Sequence, residues 1–413
     1  MKTDCAIPAG NILVNHAEGF SASLNKDLRD TEGNWFYWKF RAVFSERGDY
    51  SFRFENGPAI GTRGPAFSTD RGLSWNWLGL ENVTRNPDSF VYHFDGSPEH
   101  AEVWFCMGIP YLQENLERFL EKKKGNPFLK RGVLCRSRKG REVELITISD
   151  ALPEGNGEKE GKKKKNLFFT SRHHCCEMMA TYVLEGILDA ASEDSGFGRA
   201  FRSRFDLYAV PFVDKDGVED GDQGKFRRPH DHARDYWDTP IYPETAAIMR
   251  LIVEKQLDFI LDLHCPWLHD VGNPEGTSGK IHLLAPNTEK RAAALERFGR
   301  ILEEKTLPPL RFLYSDTLLF GTQWNFITDS PDGKSGIPLD KWCWKLSFPE
   351  IAVTAEIPYA NVYDATFTAE SAREFGKTIA RSILLYFDSS LAVSSPGTGK
   401  TAPFAGESTG KPV

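Results

Sequence analysis

From residue 111 onward, short apolar runs alternate with stretches of helical spacing, and few folds accommodate that alternation. The runs are Leu167–Thr170, Leu207–Val213, Leu257–His264, Ile281–Ala285 and Ile351–Ile357. Each reads as a strand buried on both faces, so the pattern predicts an α/β unit around a largely buried mixed sheet. Leu112, Leu116, Phe119 and Leu120 give the helical spacing that opens it.

Upstream, the period is two. Phe36, Trp38, Phe40, Ala42 and Phe44 are apolar on the even positions, while Lys39 and Arg41 stand between them. Tyr50, Phe52 and Phe54 alternate in the same way, as do Phe90, Tyr92 and Phe94, then Ala101, Val103 and Phe105. Short half-buried strands separated by Gly, Asn, Asp and Pro predict a small antiparallel β-sandwich, with the aromatic stripes as its core rather than as a ligand groove. At 413 residues the chain exceeds one ordinary core. The expected division is a β-sandwich domain over 1–109, a catalytic α/β domain over 110–390, and a disordered Ser/Gly/Thr/Pro-rich tail over 391–413. That tail carries Pro396-Gly397-Thr398-Gly399-Lys400-Thr401, part of a phosphate-loop pattern. Ser394 stands where its first glycine would fall, and no helix former follows, so no phosphate site is expected there.

Composition excludes several classes. A net charge of −7 argues against a general nucleic-acid binder, and no apolar run is long enough to span a bilayer. The first residues lack the apolar stretch of a signal peptide. Seven cysteines, with Cys175 and Cys176 adjacent, argue against a disulfide framework and for a reducing cytoplasm. The run Glu158–Lys165 reads as a solvated loop.

Ionisable residues at the ends of apolar strands carry the chemistry. His174 and Glu177 lie where the run ending at Thr170 turns into a helix supported by Met178, Tyr182, Val183, Leu184 and Ile187. The carboxyl edge of a sheet is where open α/β folds place their sites. Three residues apart, the two side chains can bend towards one point, and two His with one carboxylate is a set that catalytic zinc uses. Alone, His-x-x-Glu is weak, and His173, Cys175 and Cys176 are rival donors; the two thiols read better as buried packing. Asp262 and His264 share a face at the end of the run Leu257–His264, which Pro266 stops. Metal binding by His264, with Asp262 supporting it, explains two polar groups in an apolar strand, although a surface His–Asp pair is the plainer reading of that strand alone. Glu356, inside Ile351–Tyr359, is improbable as packing and suits a general base.

In order, these pieces resemble the zinc carboxypeptidases related to carboxypeptidase A, specifically the cytosolic carboxypeptidase branch. The family's Arg-x-His-Pro-Gly-Glu, Asn-Pro-Asp-Gly and Asp-Leu-Asn-Arg segments read here as Arg172–Glu177, Asp214–Gly217 and Asp231–Arg234, followed by His264 and Glu356. The sandwich, then Gly108-Ile109-Pro110-Tyr111 and a helix, fits the same branch. The resemblance implies one zinc held by His174, Glu177 and His264, with Glu356 as the base that later returns the proton. It implies Arg234 as the group gripping a terminal carboxylate, and Lys225 or Arg228 as the cation steadying the oxyanion. The implied substrate is a peptide or protein C-terminus; members of the branch often remove acidic residues, and Lys225, Arg227, Arg228 and Arg234 favour an anionic end. The family's Pro-Gly is Cys175-Cys176 here, which changes the backbone constraint but not the ligand types; Ala233 replaces the asparagine before the gripping arginine, so one carboxylate hydrogen bond is expected to be missing. Pro229-His230-Asp231-His232 offers a second set of metal donors, read as supporting or surface groups. A deacylase of N-acyl amino acids is the rival enzymatic reading. A silent binding protein is the third, opposed by retention of all three ligands and the base.

Overall fold

The structure is a computed structural model, and it describes residues 1–33, 35–84, 87–150, 163–270, 276–326 and 336–388. The tail expected over 391–413, its phosphate-loop-like segment and most of the lysine run lie outside the described residues.

Nine strands come first: β1 (Lys2–Asp4), β2 (Leu13–Glu18), β3 (Ser21–Asn25), β4 (Lys39–Val43), β5 (Gly48–Phe54), β6 (Ala66–Ser68), β7 (Asn76–Trp77), β8 (Ser89–Phe94) and β9 (Glu102–Cys106). They form two sheets, ordered β1-β4-β9-β6-β7 and β2-β3-β5-β8. All pairings are antiparallel except β3 with β5. The aromatic stripes are core: Trp38, Phe40, Phe52, Phe90 and Phe105 are buried, with the Phe40 and Phe105 rings 5.3 Å apart. The strand expected from Phe36 begins only at Lys39. Before it, the Tyr37 N–H donates to Gln223 Oε1 (2.7 Å) and its carbonyl accepts from Gln223 Nε2 (2.8 Å), so a side chain from the second half of the chain replaces the strand partner.

After α1 (Gln113–Lys122) come β10 (Leu129–Arg136), β11 (Glu142–Ile148), β12 (Lys165–Ser171), α2 (Met178–Ser192), α3 (Gly196–Arg202), β13 (Phe205–Val210), α4 (Lys215–Asp220) and α5 (Pro243–Lys255). Next are β14 (Phe259–His264), β15 (His282–Leu283), α6 (Glu289–Lys305), α7 (Leu339–Cys343), β16 (Ile351–Glu356), a ribbon of β17 (Asn361–Val362) and β18 (Ala365–Thr366), and α8 (Ala369–Tyr386). The seven-stranded sheet runs β10-β11-β13-β12-β14-β16-β15. Its centre, β13-β12-β14-β16, is parallel and its flanks are antiparallel.

Both faces of the central strands are covered, which is why they read as unbroken apolar runs. Phe169, Leu261 and Val353 join the core shared with residues of α2, α6 and α8, while Phe168, Ile260 and Ala352 point into a second core with residues of α5 and α7. Successive side chains of a strand must take opposite faces, so one register serves both cores. On the first face α2 and α8 meet backbone to backbone. A Cβ at Gly186 would lie 2.0 Å from the Arg373 carbonyl oxygen, so only glycine permits this approach.

Candidate metal centre and its cavity

The parallel strands deliver the chemical groups at their carboxyl ends. β14 ends in His264 and β16 in Glu356, directly paired in register. β12 ends at Ser171, and the chain then turns through Arg172, in the left-handed region at φ 65°, into α2. The buried Arg172 guanidinium donates to the Cys175 carbonyl through Nε (2.6 Å) and to the Tyr111 carbonyl through Nη1 (2.7 Å). That clamp fixes the turn presenting His174 and Glu177. Cys175 and Cys176 are buried in it, and Cys175 Sγ donates to the Asp222 carbonyl (3.0 Å). Burial pushes the Cys176 thiol up to about 12, as an inert packing group requires.

His174, Glu177 and His264 meet. His174 Nδ1 is 2.9 Å from Glu177 Oε1, and His264 Nδ1 is 2.8 Å from Glu177 Oε2. The rings of His174 and His264 lie 5.0 Å apart. One donor atom from each of the three residues falls within 4.8 Å of the others. The far nitrogens are held by carboxylates: His174 Nε2 by Asp231 Oδ1 (3.2 Å) and His264 Nε2 by Asp262 Oδ2 (3.0 Å). A carboxylate behind each imidazole fixes the ring and leaves Nδ1 for a cation, as metal-ligating histidines require. Asp262 is itself tied to Thr170 Oγ1 (2.8 Å) and His173 Nδ1 (2.9 Å), and His173 Nε2 meets the Tyr236 hydroxyl (2.6 Å). His173, Asp262 and His264 therefore form a second close trio. Its groups already serve one another, and only the first trio lines the cavity through both of its imidazoles.

Electrostatics favour a cation at this point. Burial alone would raise the Glu177 carboxyl, but Lys225, His174 and His264 hold it well below the usual range. Burial opposes charge on His264 too, yet Asp262 and Glu177 push its imidazole well above its ordinary value. Both Glu177 oxygens are buried against imidazole nitrogens, one from each histidine. A carboxylate and two oriented imidazoles converging on one point fit a divalent metal of the zinc type.

The cavity measures about 440 Å³. Glu356 lines it beside His264; its Oε1 accepts from Trp324 Nε1 (2.8 Å), and its Oε2 is buried without a partner. The four cations of the sequence reading have different fates. Lys225 lines the cavity, paired to Glu177 and donating to the Cys265 carbonyl (3.4 Å). Arg234 lines it as well. Arg227 does not: it lies between Asp222 (2.7 Å), Asp214 (2.9 Å) and Asp30 (3.7 Å). Arg228 is largely exposed, paired to Glu32, and not part of the lining. In the Pro229–His232 segment, Asp231 supports His174, and His232 is buried against Tyr242, with ring centroids 3.5 Å apart.

Besides Trp324, two contributors escaped the sequence reading. Lys341, from α7, is buried and lines the cavity, with Nζ 3.7 Å from Asp340 Oδ2; burial lowers its ammonium below the ordinary lysine value. The signal was Asp340-Lys341 inside an otherwise apolar helix turn. The second is Trp35, which lines the same cavity with its ring stacked 6.0 Å from Trp267, so a residue preceding the sandwich strand β4 walls the site. No sequence period marks such a contact.

No protein-family model matches the chain. It is 25% identical over 341 residues to cytosolic carboxypeptidase 2 of Xenopus tropicalis, covering 77% of this chain and 33% of that protein. It is likewise 25% identical over 336 residues to cytosolic carboxypeptidase 6 of Mus musculus, covering 76% of this chain and 58% of that one. The chain thus spans about a third to somewhat over half the length of these relatives. Among solved structures, a metallo-carboxypeptidase from Burkholderia cenocepacia superposes with a TM-score of 0.72 at 17% identity, over 94% of this chain and 98% of that one. A metallo-carboxypeptidase from Pseudomonas aeruginosa, in complex with (2-guanidinoethylmercapto)succinic acid, gives 0.72 at 18% identity, over 94% and 99%. The fold is that of the metallo-carboxypeptidases, and the sequence is similar to the cytosolic carboxypeptidases.

Proposed function

We propose that this chain, with the metallo-carboxypeptidase fold as premise, is a zinc carboxypeptidase that removes an acidic residue from a peptide C-terminus. The observation that carries the reading is the convergence of His174 Nδ1, His264 Nδ1 and Glu177 on one point, in a cavity that Glu356 also lines. His174, Glu177 and His264 would hold the zinc, with Asp231 and Asp262 keeping the imidazoles in register. When bound, zinc lowers the pKa of a water and polarises a carbonyl.

The remaining work falls to this chain's own side chains. Glu356 accepts the proton of the attacking water and returns it to the departing amine; Trp324 holds one carboxylate oxygen and leaves the other to act. Lys225 supplies the ammonium that steadies the developing oxyanion. It lines the cavity, whereas Arg228 does not, and this favours Lys225 of the two candidates. Arg234 grips the terminal carboxylate through its planar fork. Lys341, a third cation in the same cavity, meets the side-chain carboxylate of an acidic last residue. No helix among the described residues is long and apolar enough to cross a membrane. The relatives' cytosolic names support a cytosolic setting for this chain.

A panel of peptides differing only in the last residue, with free and amidated ends, tests the reading. Zinc-loaded protein should release C-terminal Glu or Asp in preference to Leu, and amidated peptides should resist. Lys341→Met should cut the Glu-over-Leu ratio of kcat/KM by roughly tenfold to a hundredfold, the scale of a lost buried charge partner. Release of amidated residues at an equal rate would sink the carboxylate grip, and an unchanged ratio in Lys341→Met would remove that residue from selection.

A further inference from the structure

A second cavity, about 450 Å³, shares no lining residue with the metal cavity. It is a groove between β7 and α1, with residues of α2 and α8 contributing. β7 is the last strand of its sheet. The Leu78 N–H donates to the Pro65 carbonyl (2.9 Å), so the next pair, Trp77 with Ala66, is of the non-bonded kind. The Trp77 N–H and C=O therefore point away from β6, to the open edge. Trp77 Nε1 is also buried without a hydrogen-bond partner.

Across the groove, α1 presents Arg118 and Lys122. Neither has an ion-pair or hydrogen-bond partner among the described residues, whereas Arg373 on the same groove is taken by Glu185 (2.7 Å). Four helical residues advance about 6 Å. Two residues of an extended chain advance about 6.7 Å. The repeat of the two cations along α1 thus comes close to that of alternate residues on a strand laid along the helix. Open backbone groups on one wall and two unspent cations on the other fit strand addition with charge selection.

We propose that this groove binds an extended acidic segment of a partner protein as an added strand on β7, with carboxylates on alternate residues meeting Arg118 and Lys122. The test uses the full zinc-loaded chain and a fluorescein-labelled peptide with Glu at alternate positions. Its C-terminus is amidated, so that the terminal-carboxylate grip plays no part. Fluorescence anisotropy should show saturable binding that weakens at least tenfold, about 1.4 kcal/mol, in Arg118→Glu/Lys122→Glu. N-methylation of alternate peptide amides should abolish binding in one register and spare it in the other. Absence of saturable binding, an unchanged affinity in the double variant, or equal tolerance of methylation in both registers would overturn the proposal. So would a peptide-free dimer that the double variant dissolves, since the occupant would then be a second copy of this chain.

Discussion

Two buried ionic clusters lie within a few residues of each other, and they are finished differently. Around Arg227, the carboxylates of Asp30, Asp214 and Asp222 close on one guanidinium, which does not line the metal cavity. Around Glu177, two imidazoles and Lys225 close on one carboxylate, but His174, His264 and Lys225 line a cavity that Glu356 also lines. Desolvating charge is costly in both places. In the first cluster the guanidinium and its carboxylates face one another and none lines the cavity, which makes it architecture. In the second, charged groups of the cluster line substrate space, which makes it chemistry. The sequence marks both with the same residue types; access to the cavity tells them apart.

The largest effects should come from the open cluster. His264→Ala removes one donor and exposes the face of another, and metal analysis should show loss of stoichiometric zinc with activity falling to background. Glu356→Gln should keep about one zinc per chain while turnover falls by roughly 10²–10⁴-fold, the range of a positioned proton carrier. Zinc retained in His264→Ala, or full turnover in Glu356→Gln, would break the claim that this cluster is chemical.

The closed cluster should answer in stability instead. Arg227→Met strands three carboxylates around an apolar side chain, so urea unfolding should show a loss of about 3–5 kcal/mol, the scale for removing one partner of a buried pair. Zinc content at low temperature should stay stoichiometric. A variant as stable as the parent would mean that Arg227 is dispensable to the fold, and the contrast between the clusters would lose one arm.

How much of this was legible in the residues follows from the same contrast. Strand ends were readable because an ionisable group in an apolar run has few benign explanations; Asp262, His264 and Glu356 announced themselves that way, and β14 and β16 do pair with His264 opposite Glu356. The aromatic stripes were readable because period two leaves one face for a core. What could not be read is which of several nearby cations face substrate space. Lys225, Arg227, Arg228 and Arg234 sit within ten residues and look alike in sequence, but their fates depend on Asp30, Asp214 and Glu32, brought in from distant parts of the chain. Lys341 and Trp35 were missed for the same reason: each reaches the cavity through tertiary packing that no local period encodes.

A smaller effect should appear at the border of the closed cluster. Glu244, at the start of α5, is buried, and burial raises its carboxyl from 4.5 to about 8. Its Oε2 has no partner, and Asp214 and Asp216 add repulsion. Folded protein then holds a proton that unfolded protein has released, so stability falls as pH rises from about 4.5 towards 8. Glu244→Gln should flatten that slope and gain on the order of 3 kcal/mol at pH 8, with little change at pH 4. Parallel pH profiles for variant and parent would show that Glu244 is charged and satisfied in the fold.

The smallest expected effect sharpens the open cluster at its carboxylate grip. Ala233 stands one residue before Arg234, in the turn capped by Asp231, whose Oδ1 accepts the Ala233 N–H (2.8 Å). It is buried and brings no side-chain donor, so Arg234 has no amide neighbour from that position. Ala233→Asn would add one hydrogen bond to a charged oxygen, worth about 1 kcal/mol net, and KM for free-carboxylate peptides should fall a few-fold with kcat nearly constant. Amidated peptides should not respond. An equal gain for both would place the new amide against the peptide backbone rather than the terminus, while a loss of zinc would mean that the added volume had displaced Asp231 from His174. Either result would show that the grip and the metal support share one turn too tightly to be tuned apart.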